Sequence, residues 1–62
     1  MNKYVVNFST AEGTTGRYDG YTNLGKARKD ARAMAKGNCL IGSHASWAVS
    51  TTDGERIAEG RI

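Results

Sequence analysis

The chain has 62 residues, of which 39% are hydrophobic and 24% charged, and its formal net charge is +3. So short a chain forms one domain, because folding buries only about 60% of its unfolded surface and leaves nothing for a second core. Cys39 is the only cysteine, which excludes an internal disulfide, and no apolar run is long enough to cross a bilayer. We therefore expect a cytoplasmic protein in a reducing compartment, with no membrane partner.

The first strand is predicted between Asn2 and Ser9, where side chains alternate with the period of a half-buried strand. Its larger residues share one face: Tyr4, Val6 and Phe8. Turn-forming residues occupy positions 10–16, and Arg17 to Tyr21 can return as the second strand of a hairpin. Asp19-Gly20 predicts that this second strand is short or bulged.

A helix is predicted at Leu24 to Lys36, because Asn23 or Thr22 can cap its first amides and most residues that follow are strong helix formers. Gly37 stands where a left-handed residue commonly ends a helix. Apolar residues fall within one narrow arc of this helix and predict its buried side. They are Leu24, Ala27, Ala31, Met34 and Ala35.

Beyond the helix, Leu40 and Ile41 predict a short buried strand. Alternation resumes from Ala45 to Thr51, with Ala45, Trp47 and Val49 on one side, and Asp53-Gly54 is a strong hairpin signal before a last strand that begins near Arg56. The order is ββαββ. The sequence therefore predicts a single small α+β domain in which one helix packs on an antiparallel sheet.

The basic residues are concentrated on the predicted helix, where five bases and one acid give +4 and leave −1 for the rest of the chain. The candidate partner-binding residues are Lys26, Arg28, Lys29, Arg32 and Lys36. Three of them recur at i, i+4 and i+8, so they form a row that can track a phosphate backbone or meet an acidic protein surface. The alternative is that these charges are merely solvated on the outer side of an amphipathic helix.

The tyrosines are a second candidate feature. Tyr4, Tyr18 and Tyr21 can stack on bases or anchor a protein if they lie on an open sheet face, and they complete the core if they lie beneath the helix. The strand register decides between these alternatives, because a shift of one residue exchanges the two faces.

Residues for catalysis or metal binding are sparse. Cys39 and His44 are too few for a mononuclear metal site, and Cys39 is interpreted as a small core thiol. Ser43, His44, Ser46 and Asp53 supply the residue types of nucleophilic catalysis without a recognised spacing. We therefore predict no catalytic residues, no metal, no cofactor and no enzymatic activity.

A pattern of hairpin, "Thr/Asn-Leu-x-x-Ala" helix and second hairpin runs through most of the chain. Its residues are Thr22, Asn23, Leu24 and Ala27, followed by Asp53-Gly54-Glu55-Arg56-Ile57. The pattern resembles a group of small phage-encoded and mobile-element-encoded proteins that includes some anti-CRISPR inhibitors. The resemblance implies a stoichiometric inhibitor that occupies a surface of a host or defence complex, and it carries no functional residues over to this chain.

The leading hypothesis is a non-enzymatic protein of this inhibitor type that docks on a host protein or nucleoprotein complex through its basic helix face. The alternative is a DNA-binding or RNA-binding module in which the same residues neutralise phosphates. A small enzyme is a third possibility, and self-association as a homodimer stays open.

Overall fold

A computed structural model describes residues 3–62 of the chain. Over these residues, four strands and one helix follow the predicted ββαββ order: β1 (Tyr4–Thr10), β2 (Thr15–Tyr21), α1 (Leu24–Asn38), β3 (Ala45–Thr51) and β4 (Arg56–Arg61). The strands form one antiparallel sheet in the order β2-β1-β3-β4. Helix α1 packs mainly against the two central strands, β1 and β3. The prediction of a single small α+β domain is confirmed.

The register of the central strands places most of their large apolar residues beneath α1, with Val5 on the other face, opposite Ser50. Val6 lies opposite Val49, and Phe8 lies opposite Trp47. Directly opposed residues in an antiparallel pair project from the same face. The alternation predicted for β1 and β3 is therefore confirmed, and one face of the sheet carries the core.

The contact between helix and sheet is made by alanines spaced one helical turn apart. Ala27, Ala31 and Ala35 are completely buried. The first two pack with Val6 and Val49 in one core cluster, and the third packs with a second cluster formed with Phe8 and Ala45. Small side chains allow α1 to lie close to the sheet. Such a core is thin, so that small changes in volume at this contact are felt.

Two local predictions are confirmed at the start of the helix and in β2. The Asn23 side-chain oxygen accepts a hydrogen bond from the Lys26 amide at 3.0 Å, which caps α1. The register between β1 and β2 shifts between Tyr4 and Val6. This shift is the bulge expected at Asp19-Gly20.

Strand β2 itself begins at Thr15, two residues before its predicted start. The predicted start of β1 at Asn2 lies outside the described residues.

The prediction that Gly37 ends the helix in a left-handed conformation is wrong. Helix α1 continues to Asn38, and the capping residue is Cys39, which is extended, with φ −89°. Gly37 itself is helical and is not among the glycines with positive φ. The Asn38 side-chain amide donates to the Met34 carbonyl at 2.8 Å, and the Cys39 amide bonds to the Lys36 carbonyl. These bonds satisfy carbonyls of the last helical turn. In many other helices, backbone amides at and after a left-handed glycine bond to these carbonyls.

The prediction of a short buried strand at Leu40 and Ile41 is also wrong, because both residues are exposed and lie in a turn before β3. Both central positions of the sheet are occupied by β1 and β3. The segment serves instead to connect the end of α1 to the start of β3. Two adjacent aliphatic residues carry no periodic pattern that could distinguish a connection from a strand.

The helical conformation of Gly37 predicts that Gly37→Ala stabilises the protein. A methyl group at this position would meet no atom within 4 Å, and alanine restricts the unfolded chain, so we expect a gain of about 0.5–1 kcal/mol in the free energy of unfolding. Urea denaturation of the native protein and of Gly37→Ala measures the difference in the free energy of unfolding. A loss of stability would show that Gly37 adopts the left-handed conformation after all.

The tight helix contact predicts that Ala31→Val destabilises the protein by about 1–3 kcal/mol, because two extra methyl groups must fit between α1 and the sheet. The matched control is Ala33→Val on the exposed side of the same helix, which loses only helix propensity, about 0.5 kcal/mol. Thermal or urea unfolding compares the two. Equal losses would contradict the close approach of α1 to the sheet.

Candidate functional site

Four of the five predicted basic residues line one open groove along the exposed side of α1, which reaches Trp47 of β3. Its volume is about 500 Å³. We call it the basic groove, and its lining residues are Gly25, Arg28, Lys29, Arg32, Ala33, Lys36 and Trp47. Residues at i, i+4 and i+8 of a helix lie about 6 Å apart along its axis. Arg28, Arg32 and Lys36 therefore form a row of positive charge about 12 Å long.

Trp47 supplies the aromatic wall of the basic groove. Its indole is half-buried and packs against both core clusters. Gly60 lies directly opposite on β4, and a methyl group there would stand 2.6 Å from the indole Cζ2. The absence of a side chain at Gly60 therefore makes room for the ring, whose position the surrounding core contacts hold.

The sequence did not identify Trp47 as a site residue, because alternation placed it only among the core residues of β3. The signal that could have found it is a tryptophan on one strand of a predicted hairpin with a glycine on the other. Such a pair leaves space for a large ring to extend over the neighbouring strand. The exact pairing of Trp47 with Gly60 depends on the register shift between Val49 and Ser50, which the sequence does not show.

Lys26 lies apart from the other four predicted contacts. It lines a different groove, of about 390 Å³, on the β2 side of α1. Its neighbours there include Tyr18, Asp19, Tyr21 and Asp30. The five predicted residues are thus divided between two flanks of the helix, with four on one side and one on the other.

The cations of the basic groove have no carboxylate partner within residues 3–62. In this range the ion pair is formed by Arg56 and Glu59 on β4, at 3.1 Å. The one acidic residue of α1, Asp30, is engaged elsewhere, because it accepts a hydrogen bond from the Tyr21 hydroxyl at 2.9 Å. The positive charge of the groove therefore remains available to an external partner.

Tyr21 is held in its neutral form by its surroundings. Burial raises the pKa of its hydroxyl above the ordinary value of 10.0, and the hydrogen bond to Asp30, the negative charge of Asp30 and the nearby Tyr18 act in the same direction. The neutral hydroxyl is the donor in this bond, so that the ionised form of Tyr21 would lose it and repel Asp30.

The tyrosines do not form a base-stacking surface on the open face of the sheet. Tyr4 lies opposite Tyr21, and Tyr18 lies opposite Val6, so all three project from the face that α1 covers. The central strands carry short side chains on their open face, and the described part of the sheet has no aromatic ring there. These residues are Val5, Asn7, Ser9, Ser46, Ala48 and Ser50. Of the two interpretations of the tyrosines, the one that places them on the helix side of the sheet agrees with this register.

The residues considered for catalysis are not brought together. Ser43 and His44 precede β3, whereas Asp53 follows it, so that the whole strand separates them. Cys39 packs at the second core cluster. No three histidine, cysteine or acidic side chains among residues 3–62 are grouped so that they could hold a metal ion. Nor does this part of the chain contain a helix long and apolar enough to cross a membrane.

The raised pKa of Tyr21 predicts a loss of stability at alkaline pH. A group with a raised pKa in the folded state contributes stability below its unfolded pKa and loses it as the pH rises through the folded pKa. We expect the free energy of unfolding to fall more steeply above about pH 10 in the native protein than in Tyr21→Phe, which has no ionisable hydroxyl there. Urea denaturation at a series of pH values measures both slopes. Equal pH slopes for the native protein and Tyr21→Phe would contradict a contribution of the Tyr21 hydroxyl to stability.

Comparison with known proteins gives no family for this chain. No protein-family model, no curated protein sequence and no solved structure matches it significantly. The resemblance to small phage-encoded inhibitors stays a prediction, and function is inferred below from the surface chemistry of the molecule.

Proposed function

We propose that this chain is a small non-enzymatic binding protein that docks on an acidic surface of a protein or nucleoprotein complex through its basic groove. In the setting that the sequence pattern suggests, the complex belongs to the host of a phage or mobile element, and docking inhibits it. A reducing compartment such as the cytoplasm suits a chain whose one thiol, Cys39, is unpaired.

The observation that carries this proposal is the set of four cations on one flank of α1, none of which forms an ion pair within residues 3–62. Arg28, Lys29, Arg32 and Lys36 line the basic groove together, whereas the acid of the same helix, Asp30, faces β2 and bonds to Tyr21. Clustered charges of one sign repel each other and attract a surface of opposite sign. Carboxylates of a partner would relieve that repulsion.

A protein surface fits the basic groove better than nucleic acid alone. The groove contains the indole of Trp47 and the small residues Gly25 and Ala33 beside its cations. Arginine and tryptophan together are characteristic of the central residues of protein interfaces. Nucleic-acid binding by the same cations would rest on phosphate contacts, which position a protein but do not specify a sequence, and the open sheet face supplies no aromatic platform for bases.

Charge reversal in the basic groove tests the proposal. We expect Arg28→Glu/Arg32→Glu to lower recovery of partner proteins from a host lysate by about tenfold or more, because the row loses two of its three cations. The matched control is Arg17→Glu/Lys26→Glu. Both double variants change the formal net charge from +3 to −1, but Arg17 and Lys26 lie outside the groove. Quantitative mass spectrometry compares the recovered proteins.

Equal recovery with both double variants would show that net charge, not the groove, governs binding. Retention of the same partners by Arg28→Glu/Arg32→Glu would contradict the proposal. Titration against labelled duplex and single-stranded DNA and RNA at low and moderate salt is the companion measurement. Tight binding that weakens steeply with salt and needs no protein would favour the nucleic-acid alternative.

A further inference from the structure

The outer edge of β4 is free to pair with another strand. Strand β4 lies at one end of the sheet, and within residues 3–62 no strand pairs with its outer side. Ile62 donates its amide to the Ala45 carbonyl at 2.9 Å, and the direction of bonding alternates from residue to residue along an antiparallel strand. The backbone groups of Glu59 and Arg61 therefore point away from β3, toward the outer side.

Glu59 and Arg61 also place opposite charges along this edge. They lie opposite Ala48 and Ser46 of β3, so both side chains project from the open face of the sheet. The carboxylate of Glu59 already pairs with Arg56 of its own strand, and both side chains remain mostly exposed. Charged residues on an edge strand commonly discourage pairing. Opposite charges two residues apart, however, favour a partner strand with the same two charges in reverse order.

A second copy of β4 is such a partner. In a two-fold antiparallel pair centred on Gly60, Glu59 of each copy lies opposite Arg61 of the other. Both residues direct their backbone groups outward, so each opposed pair can exchange two hydrogen bonds between its amides and carbonyls. A shift of two residues in either direction would place Glu59 opposite Glu59 or Arg61 opposite Arg61, and a shift of one residue would oppose different faces. The charges therefore select one register.

The helix side of this register is apolar. Ala58 of each copy lies opposite Ile62, which is 37% exposed, and Gly60 lies opposite Gly60 at the symmetry axis. The Trp47 indole extends over Gly60, since a methyl group there would stand 2.6 Å from its Cζ2. Opposed Cα atoms at such a position are about 4.5 Å apart. The two indoles would therefore lie on either side of the axis.

The other edge strand, β2, is less suited to pairing of this kind. Gly20 has φ +88°, and the register between β1 and β2 shifts beside it. A bulge interrupts the ladder and twists the edge away from an incoming strand. Between Ala58 and Arg61, by contrast, β4 runs opposite β3 without a shift in register.

We propose that the chain forms a two-fold symmetric homodimer through β4, with Gly60 at the axis and Glu59 of each copy paired with Arg61 of the other. The two four-stranded sheets then join into one continuous sheet. Because opposed residues project from the same face, both helices lie on one side of this sheet, together with both basic grooves. Dimerisation does not depend on the proposed function, which needs only the cations of one groove.

Reversal and exchange of the two edge charges test the dimer. Glu59→Arg and Arg61→Glu should each weaken dimerisation by about tenfold or more, because both pairs across the axis become like-charged. The double variant Glu59→Arg/Arg61→Glu should restore it, because opposite charges face each other again. The two single variants change the formal net charge from +3 to +5 and to +1 respectively, so a common loss cannot come from net charge.

Sedimentation equilibrium measures dimerisation. The paired segment is short and such an interface is small, so the series should run from about 10 μM to about 1 mM protein. A salt concentration of about 0.15 M screens the repulsion between the cations of the two grooves. The matched control is Arg17→Glu, which reverses an exposed charge on β2 and should leave the dimer unchanged. Circular dichroism should show that every variant is folded, since the changed side chains are exposed.

A second measurement needs no variant. NMR spectra of the native protein across the same concentration series should shift the amides of Glu59 and Arg61 more than the amide of Arg17, because only the first two enter new hydrogen bonds. A native protein that stays monomeric at the highest concentration would overturn the dimer. So would a dimer that survives both single reversals, one that the double variant fails to restore, or one that Arg17→Glu disrupts.

Discussion

The packing of three alanines of α1 on the central strands is the contact on which the rest of the structure depends. Ala27, Ala31 and Ala35 are completely buried. The first two pack with Val6 and Val49, the largest fully buried side chains of the described residues, and Ala35 packs with Phe8 and Ala45. Met34 of the same helix packs beside the alanines on both core clusters. Rotation of α1 would expose these valines and bury charged side chains instead. Both changes are unfavourable. The thin core therefore determines which side of the helix faces the sheet.

The fixed rotation of α1 separates its charges onto two flanks. Asp30 is directed toward β2, where it bonds to Tyr21, and Arg28 and Arg32 line the basic groove with Trp47. If Asp30 lay among the arginines, it would neutralise part of their charge. The packing of the alanine methyl groups on the sheet thus determines which charged residues of α1 lie in the basic groove, although the alanines themselves are not part of that groove.

A domain of this size has little interior in which to enclose a ligand, so the proposed binding surface lies on the outside. The basic groove is supported by the core through Trp47. Such support would order the indole before binding, so that less conformational entropy would be lost when a partner docks. The proposed surface combines positive charge with an aromatic ring, which suits a protein partner more than a simple polyanion.

Local patterns in the sequence determined the α+β class, the order ββαββ, the Asn23 cap, the Asp53-Gly54 hairpin and the concentration of positive charge on α1. These depend on residues close together in the chain, whose preferences act over one turn or one strand. Only the tertiary structure decided that the helix extends past Gly37, that Leu40 and Ile41 are exposed, and which cations share a groove with Trp47. The physical reason is that side-chain burial and the choice of helix flank depend on strand order and register, which arise from contacts between residues distant in sequence.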